Sequence, residues 1–299
     1  VPESEAPDQR RRLLGMLGSA AWLAAGCSFV GDDHRGPDMP RAAPLTRPVR
    51  TAWVFSSGGP RGFVHVGVLK ALEELGLGPD LIVGASVGAL VGALCAGGRR
   101  AAEIEVLALN LNPVALARLA LGAEERFSGA PLADLLRREL PAAPRLEQLA
   151  VPMVCVAARR RDGAVVGFTA GDLGLAVMAS AAIEGQFAPV QIGGEWYVDA
   201  DRHAPLPVRL ARALGATRVL AVDASAHEDH APPGAERYRE GDLRKRALTV
   251  VDAGLADVLL HPEFGYWVSL SREFRERAIQ AGYRDTLLQA AALQRLHAL

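Results

Sequence analysis

The 299-residue chain carries 33 basic and 34 acidic side chains, for a net charge of −1, and half of it is hydrophobic. That is the composition of a globular protein long enough for one large domain or two small ones, and without a basic field it excludes nucleic acid as the natural partner. The three cysteines, Cys27, Cys95 and Cys155, form no C-x-x-C pair, so the sequence offers neither a zinc site nor a redox motif and implies no cofactor. Cys95 and Cys155 sit in apolar runs and read as small core residues.

The first segment reads as an address. In "QRRRLLGMLGSAAWLAAGCS" three arginines precede an apolar run, Leu13 to Gly26. The run is too short to cross a bilayer as a stable helix, and it suits a signal-peptide core behind a basic flank. Ala24-Ala25-Gly26-Cys27 resembles the lipobox of bacterial lipoproteins, with Ala24 where leucine is preferred. That resemblance implies that residues 1–26 are a signal peptide, that Cys27 is lipidated and that a lipid anchor holds the protein to a membrane. With Ser28 next, it implies the outer membrane of a bacterial envelope; a periplasmic or inner-membrane place is the alternative. An uncleaved anchor, a Sec signal and a short core helix are competing readings. Residues 27–50, rich in Pro, Arg, Asp and Gly and without periodicity, read as a flexible tether.

From Arg50 onward the elements alternate. Trp53-Val54-Phe55 is a buried strand entering Ser56-Ser57-Gly58-Gly59-Pro60. Val64, Val68, Leu72 and Leu75 recur at helical spacing up to Gly76. Leu81-Ile82-Val83 is a second buried strand, and Val87 to Ala96 is a helix of small residues ended by Gly97-Gly98. Strand, helix, strand, helix predicts a parallel α/β sheet. Within it, Gly84-Ala85-Ser86-Val87-Gly88 is G-x-S-x-G on a strand-to-helix turn, the context a nucleophile elbow requires. Such a turn strains the serine backbone, so its neighbours must be almost free of side chain. The hydroxyl then projects beside a helix N-terminus, which favours negative charge; a tight packing turn is the bland alternative.

A second candidate lies at Gly58, Gly59, Arg61 and Gly62. Glycines let backbone N–H groups approach a developing oxyanion, and one such donor is worth about 3 kcal/mol. Arg61 either holds this loop or faces an anionic head group. The loop lacks the first glycine of G-x-G-x-x-G, which disfavours a dinucleotide site.

A G-G-x-R-G loop after the first strand, the helix "HVGVLKALEELG" and then "DLIVGASVGALVGAL" resemble the patatin-like phospholipase family, in particular its short single-domain bacterial members. The resemblance takes in most of the chain beyond Arg50, including the block from Ala179 to Ile183. It implies a three-layer α/β sandwich with a central, mostly parallel sheet as one domain over residues 51–299. It also implies a Ser-Asp dyad without histidine, and a lipid acyl ester as substrate. The family's aspartate follows a strand, in D-G-[GA]. Here Gln191-Ile192 and Trp196-Tyr197-Val198 read as two short strands about Gly193-Gly194, and Val198 delivers Asp199. The implied roles are therefore Ser86 as nucleophile, Asp199 as proton acceptor, Gly58, Gly59, Arg61 and Gly62 as the oxyanion loop, and Gly84 and Gly88 as the flanks of the elbow. A serine hydroxyl needs a base, and a carboxylate must be raised from its ordinary pKa near 4 by burial to serve at neutral pH.

The chain departs from the family pattern at two places. It has Asp199-Ala200-Asp201 for D-G-[GA], and Ser57 for the first glycine of the loop. Alanine at 200 forbids a positive φ without strain. Asp201 beside Asp199 sets two carboxylates in competition, so one pKa rises. These departures keep open a catalytically impaired patatin fold that serves as a binding or regulatory module. A third reading is a histidine triad drawing on His203, His227, His230 or His261.

The remaining segments read as scaffold. Residues 100–147 hold two or three helices, "AAEIEVLALNLN", "VALARLALG" and "APLADLLRRELP". Val151 to Ala158 and Ala164 to Thr169 are paired strands, Leu206-Pro207-Val208 opens an amphipathic helix, and Arg218 to Val222 is another buried strand. His227-Glu228-Asp229-His230 has only a loose metal spacing, in a loop. After a charged loop from Glu236 to Arg246, Ala247 to Leu255 is a helix with Val251 and Leu255 inward. A last strand and a closing helix follow, around the aromatics Phe264, Tyr266 and Trp267, which face either the core or lipid.

Overall fold

The computed structural model describes residues 28–29, 32–112, 118–121 and 127–298; the predicted signal peptide and Cys27 lie outside them. The main sheet is built from β1 (Thr51–Phe55), β2 (Leu81–Ala85), β3 (Met153–Arg159), β4 (Val165–Phe168), β5 (Val190–Ile192), β6 (Glu195–Asp199), β7 (Arg218–Val222) and β8 (Val258–Leu260). Its order is β8-β7-β1-β2-β3-β6-β5, with β4 paired to β3 off that path. The five strands from β8 to β3 run parallel, and β4, β5 and β6 join antiparallel.

The central strands read as unbroken apolar runs because both faces are covered. Ala52, Val54, Leu81, Val83, Val154 and Val156 pack with Leu206, Val208 and Ala211 on one side. Trp53, Phe55, Ile82, Met153 and Cys155 face Val68, Leu72, Val91 and Leu94 on the other. The helices that supply these layers are α1 (Val64–Glu74), α2 (Val87–Ala96), α3 (Ala101–Asn110), α4 (Ala130–Glu139), α5 (Leu173–Ser180), α6 (Val208–Ala213), α7 (Glu236–Ala253), α8 (Arg272–Leu288) and α9 (Ala290–Ala298). α1 and α8 cross backbone to backbone: a Cβ at Gly67 would lie 1.8 Å from the Ile279 carbonyl oxygen, and one at Gly282 would lie 2.2 Å from that of Val64. The expected three-layer α/β sandwich is the observed one.

Three stretches differ from the sequence reading. The predicted tether is docked from His34 onward. Its His34 N–H donates to the Gln191 carbonyl at 3.0 Å and its Arg41 N–H to that of Ala170 at 2.9 Å. Ala43 exchanges two 2.7 Å bonds with Thr169 Oγ1, and Leu45 and Val49 pack against the core. The segment lacks periodicity because it binds mainly through its backbone. In the predicted helix "VALARLALG", Arg118–Leu121 is instead a strand, paired parallel to Ser28–Phe29 and antiparallel to Phe127–Ser128.

The third difference is α7, which is helical from Glu236 and is turned inside out. Val251 is 55% exposed and Leu255, just past its end, 43%, beside exposed Leu243 and Val250. Asp242, Lys245, Thr249 and Asp252 follow helical spacing and form its inner face. Asp242 accepts from Tyr266 Oη, and buried Asp252 accepts from Arg209 Nε at 3.0 Å and Nη2 at 3.1 Å. Hydrophobic period alone put the wrong face inward, because Asp242, Lys245 and Asp252 have partners outside the helix that no local pattern shows.

Candidate active site

β2 hands over to α2 at Ser86, whose backbone has φ 56° and ψ −124°. Among the described residues it is the only non-glycine with positive φ, a strain of about 1–3 kcal/mol that surrounding structure must hold. The flanking glycines are required by space. A Cβ at Gly84 would stand 2.5 Å from the Gly88 carbonyl oxygen, and one at Gly88 would stand 2.4 Å from that of Phe55. Val87 Cγ1 fills the space where a Gly62 side chain would begin, at 2.2 Å. The Ser86 N–H donates to Ser180 Oγ at 2.9 Å, and that hydroxyl donates to the Val156 carbonyl at 2.5 Å. The Ser86 side chain makes no capping bond to α2.

Sheet register brings Asp199 to the same place. Ala85 pairs with Val156, so Ser86 continues toward Ala157, and Ala157 is paired with Asp199. β2 runs parallel to β3 on one side and β6 antiparallel to it on the other, so their C-terminal ends meet across β3. Asp199 is 5% exposed. Burial drives its carboxyl up to about 7, with the neighbouring Asp201 charge acting the same way, while hydrogen bonding from Ser86 and Asp201 and the charge of Lys245 pull it down. Oδ1 accepts from the Asp201 N–H at 2.8 Å. Buried Oδ2 has no partner of ordinary hydrogen-bond geometry, and Ser86 is the nearby hydroxyl that favours its charged form.

Ala200 needs no positive φ, because Ala200–Arg202 is a right-handed 3₁₀ turn. The two carboxylates of the D-A-D motif part ways as the sequence predicts: Asp199 is raised, and Asp201 is held below the usual range.

Gly59–Phe63 is a short 3₁₀ helix capped by Gly58, so the N–H groups of Gly58 and Gly59 belong to the set that a helix start leaves without an intrahelical acceptor. Gly59 has φ +52°. Arg61 holds the loop. It is 5% exposed; Nε donates to the Ala224 carbonyl at 3.1 Å, and Nη1 donates to those of Gly265 and Tyr266 at 2.9 and 3.1 Å. Its guanidinium lies 4.4 Å over the Phe264 ring. Beneath the loop, His65 is fully buried with Nε2 on the Ser56 carbonyl at 3.0 Å, and burial lowers its pKa to about 4.

The candidate triad histidines have other partners. His203 is exposed and covers Gly163. His261 stacks on His227 at 3.7 Å and meets the Ser225 carbonyl at 3.1 Å. His227, Asp229 and His230 bring ligand atoms within 4.8 Å of one another on the loop after β7. Of the aromatic group, Phe264 packs on buried Phe274 with ring centres 5.5 Å apart, whereas Trp267 is half exposed. Cys155 is buried and Cys95 nearly so; burial pushes both thiols up, Cys95 to about 12.

Sequence reasoning missed Ser180 and Lys245. Ser180 sits in the quoted block Ala179 to Ile183, but nothing in its spacing says that it anchors the elbow. Lys245 lies in a run of basic residues, Arg244 to Arg246, with no mark to single it out.

The patatin-like phospholipase family model matches residues 53–212, from β1 through α6, with both Ser86 and Asp199 inside. An uncharacterized NTE family protein of Mycobacterium tuberculosis is 33% identical over 182 residues, 60% of this chain and 50% of the relative. Patatin-like phospholipase domain-containing protein 6 of Homo sapiens is 30% identical over 205 residues, 65% of this chain and 15% of the relative. The chain thus spans half or less of the length of these curated relatives. Among solved structures, VipD from Legionella pneumophila has a TM-score of 0.59 at 13% identity, over 87% of this chain and 71% of that one, a likeness of fold. With its glycine loop, its strained serine elbow and more than half its length matched, the chain belongs to the patatin-like phospholipase family.

Proposed function

We propose that the protein is a lipid acyl-ester hydrolase in which Ser86 is the nucleophile and Asp199 the base. The observation that carries this reading is the strained serine, set in register with a buried carboxylate whose pKa lies at about 7. At that value the carboxylate is ionised in a large fraction of molecules at neutral pH and still basic enough to accept a proton.

In this reading the Ser86 hydroxyl attacks the ester carbonyl while its proton passes to Asp199. Negative charge gathers on the carbonyl oxygen, where the N–H groups of Gly58 and Gly59 receive it, with Gly62 and Arg61 holding the loop's shape. The intermediate collapses, the leaving alcohol takes the proton from Asp199, and the acyl group stays on Ser86 as an ester. Water then attacks this ester, giving its proton to Asp199. On release of the fatty acid that proton returns to Ser86 Oγ. No histidine takes part. Family membership supports a lipid ester as the substrate class, and phospholipase A- or lysophospholipase-type cleavage is the finer proposal.

A fluorophosphonate probe tests the reading. It should label the native protein and leave Ser86→Ala unlabelled, with hydrolysis of a short-chain nitrophenyl ester lost in parallel. Absence of Ser86-dependent labelling would favour the binding module that the Asp199-Ala200-Asp201 motif suggests. Attachment to a bacterial membrane through a lipidated Cys27 belongs to the same proposal and rests on the sequence; Cys27→Ser should release the protein from the membrane fraction.

A further inference from the structure

The two departures from the family pattern touch each other. Ser57, which stands for a loop glycine, donates its hydroxyl to Asp201 Oδ1, and Asp201 stands for the small last residue of D-G-[GA]. Lys245, from the inner face of α7, joins both. Its Nζ donates to Asp201 Oδ1 at 2.7 Å, to Ser57 Oγ at 3.1 Å and to the Ser57 carbonyl at 3.3 Å. Glycine at both places would leave this lysine only a backbone carbonyl to bind. Neither replacement reads as decay when each is the other's partner.

The position of Lys245 has two physical consequences. The first concerns the loop. The Ser57 carbonyl and the Gly58 N–H belong to one planar peptide unit and point in opposite directions. Holding the carbonyl with Lys245, and with Ser56 Oγ at 3.0 Å, therefore aims the Gly58 N–H. The second concerns charge. Burial pushes the Asp201 carboxyl up, but the Lys245 charge and hydrogen bonds outweigh it, so Asp201 stays anionic. An anion beside Asp199 works against its ionisation, and the ammonium works for it. The other groups facing the pair are Arg202 on the same turn, itself 3.5 Å from Glu184, the uncharged Ser86 and Ser180, and the neutral His65 below β1.

We propose that Lys245, Asp201 and Ser57 form a positioning network that replaces the family's glycines: it orients the Gly58 N–H and balances the charge around Asp199. The three side chains bind one another and not the dyad; only the Asp201 backbone N–H reaches it, at Asp199 Oδ1. The inference rests on the dyad reading and goes beyond it by assigning the altered motif a working part.

The test is the pH profile of kcat/KM of the full chain on a soluble ester, with fluorophosphonate labelling and circular dichroism run on every variant. The native acid limb should lie near pH 7. Lys245→Met leaves the Asp201 anion uncompensated and should move that limb up by about one unit, with about a fivefold loss at pH 7. Asp201→Asn removes the anion and should move it down by a similar amount. The double variant should return close to the native limb, and Lys245→Arg should resemble the native protein. A purely structural role would not produce shifts of opposite sign that cancel.

Folded, probe-reactive variants whose limbs stay put, or move the same way, would overturn the network and leave the dyad standing. If Lys245→Met does not fold, the downward shift in Asp201→Asn decides. If the native protein shows no Ser86-dependent labelling, the dyad reading fails, and this inference falls with it.

Discussion

At Ser86 the chain is held by the lack of side chains, and at Asp199 it is held by their charges. The elbow works by exclusion: two glycines admit backbone to within 2.6 Å of where their Cβ atoms would be, and no ionic group takes part. The base turn works by balance, with Asp201, Ser57 and Lys245 setting field and geometry around one carboxylate. An exclusion site tolerates almost no substitution. A balanced site tolerates change when partners change together, which is why this chain keeps the family's elbow and departs from its aspartate motif.

The sharpest way to break that comparison is at the elbow. Ser86→Ala should lower kcat by about six orders of magnitude, as loss of the nucleophilic serine does in a serine protease. A smaller loss in ester turnover would mean that another group attacks. Gly88→Ala comes next. Its Cβ has backbone on two sides, the Phe55 and Ser56 carbonyls at 2.4 and 2.6 Å, so urea unfolding should show a loss of about 3 kcal/mol or more, or no folded protein.

The base turn predicts the opposite sign for stability. The folded Asp199 carboxyl titrates at about 7, above its ordinary value, so it holds a proton that the unfolded chain has released. Its contribution is complete below about pH 4 and is lost as pH rises through 7. Asp199→Asn should therefore abolish turnover yet stabilise the fold at pH 8, by up to about 4 kcal/mol, and flatten the fall in Tm between pH 5 and 8. Destabilisation at pH 8 would show that the carboxylate is held by favourable contacts instead of strained by burial. The smallest effect belongs to His203→Ala: turnover should change less than about threefold at every pH, since this exposed ring covers Gly163. A lost pH limb would revive the histidine triad.

What could be read in advance divides along the same line. β1, β2, the elbow and the β5–β6 turn, with Gly193 and Gly194 at φ +60° and +88°, are local, and each carries its own signal in apolar runs and glycines. The convergence on Asp199 was legible only through family resemblance, since no local pattern ties residues so far apart. Lys245 was not legible at all. It acts through two atoms of Ser57 and one of Asp201, both distant in sequence, and a lysine in a basic run looks like any solvated cation. α7 was misread for a related reason: period reports which residues share a face, and only their partners decide which face turns inward. Arg118–Leu121 was misjudged because it pairs with two-residue stretches, Ser28–Phe29 and Phe127–Ser128, that carry no strand signal of their own.

The register around Ala157 has a consequence for how such a protein is made. Ser86 leaves the ribosome well before Ala157, and Asp199 follows later still. Until β6 lies against β3, the nascent polypeptide displays an ordinary alcohol, no more reactive than any other serine. On the proposed dyad reading, the serine and its base would then come together in one step, when the sheet closes.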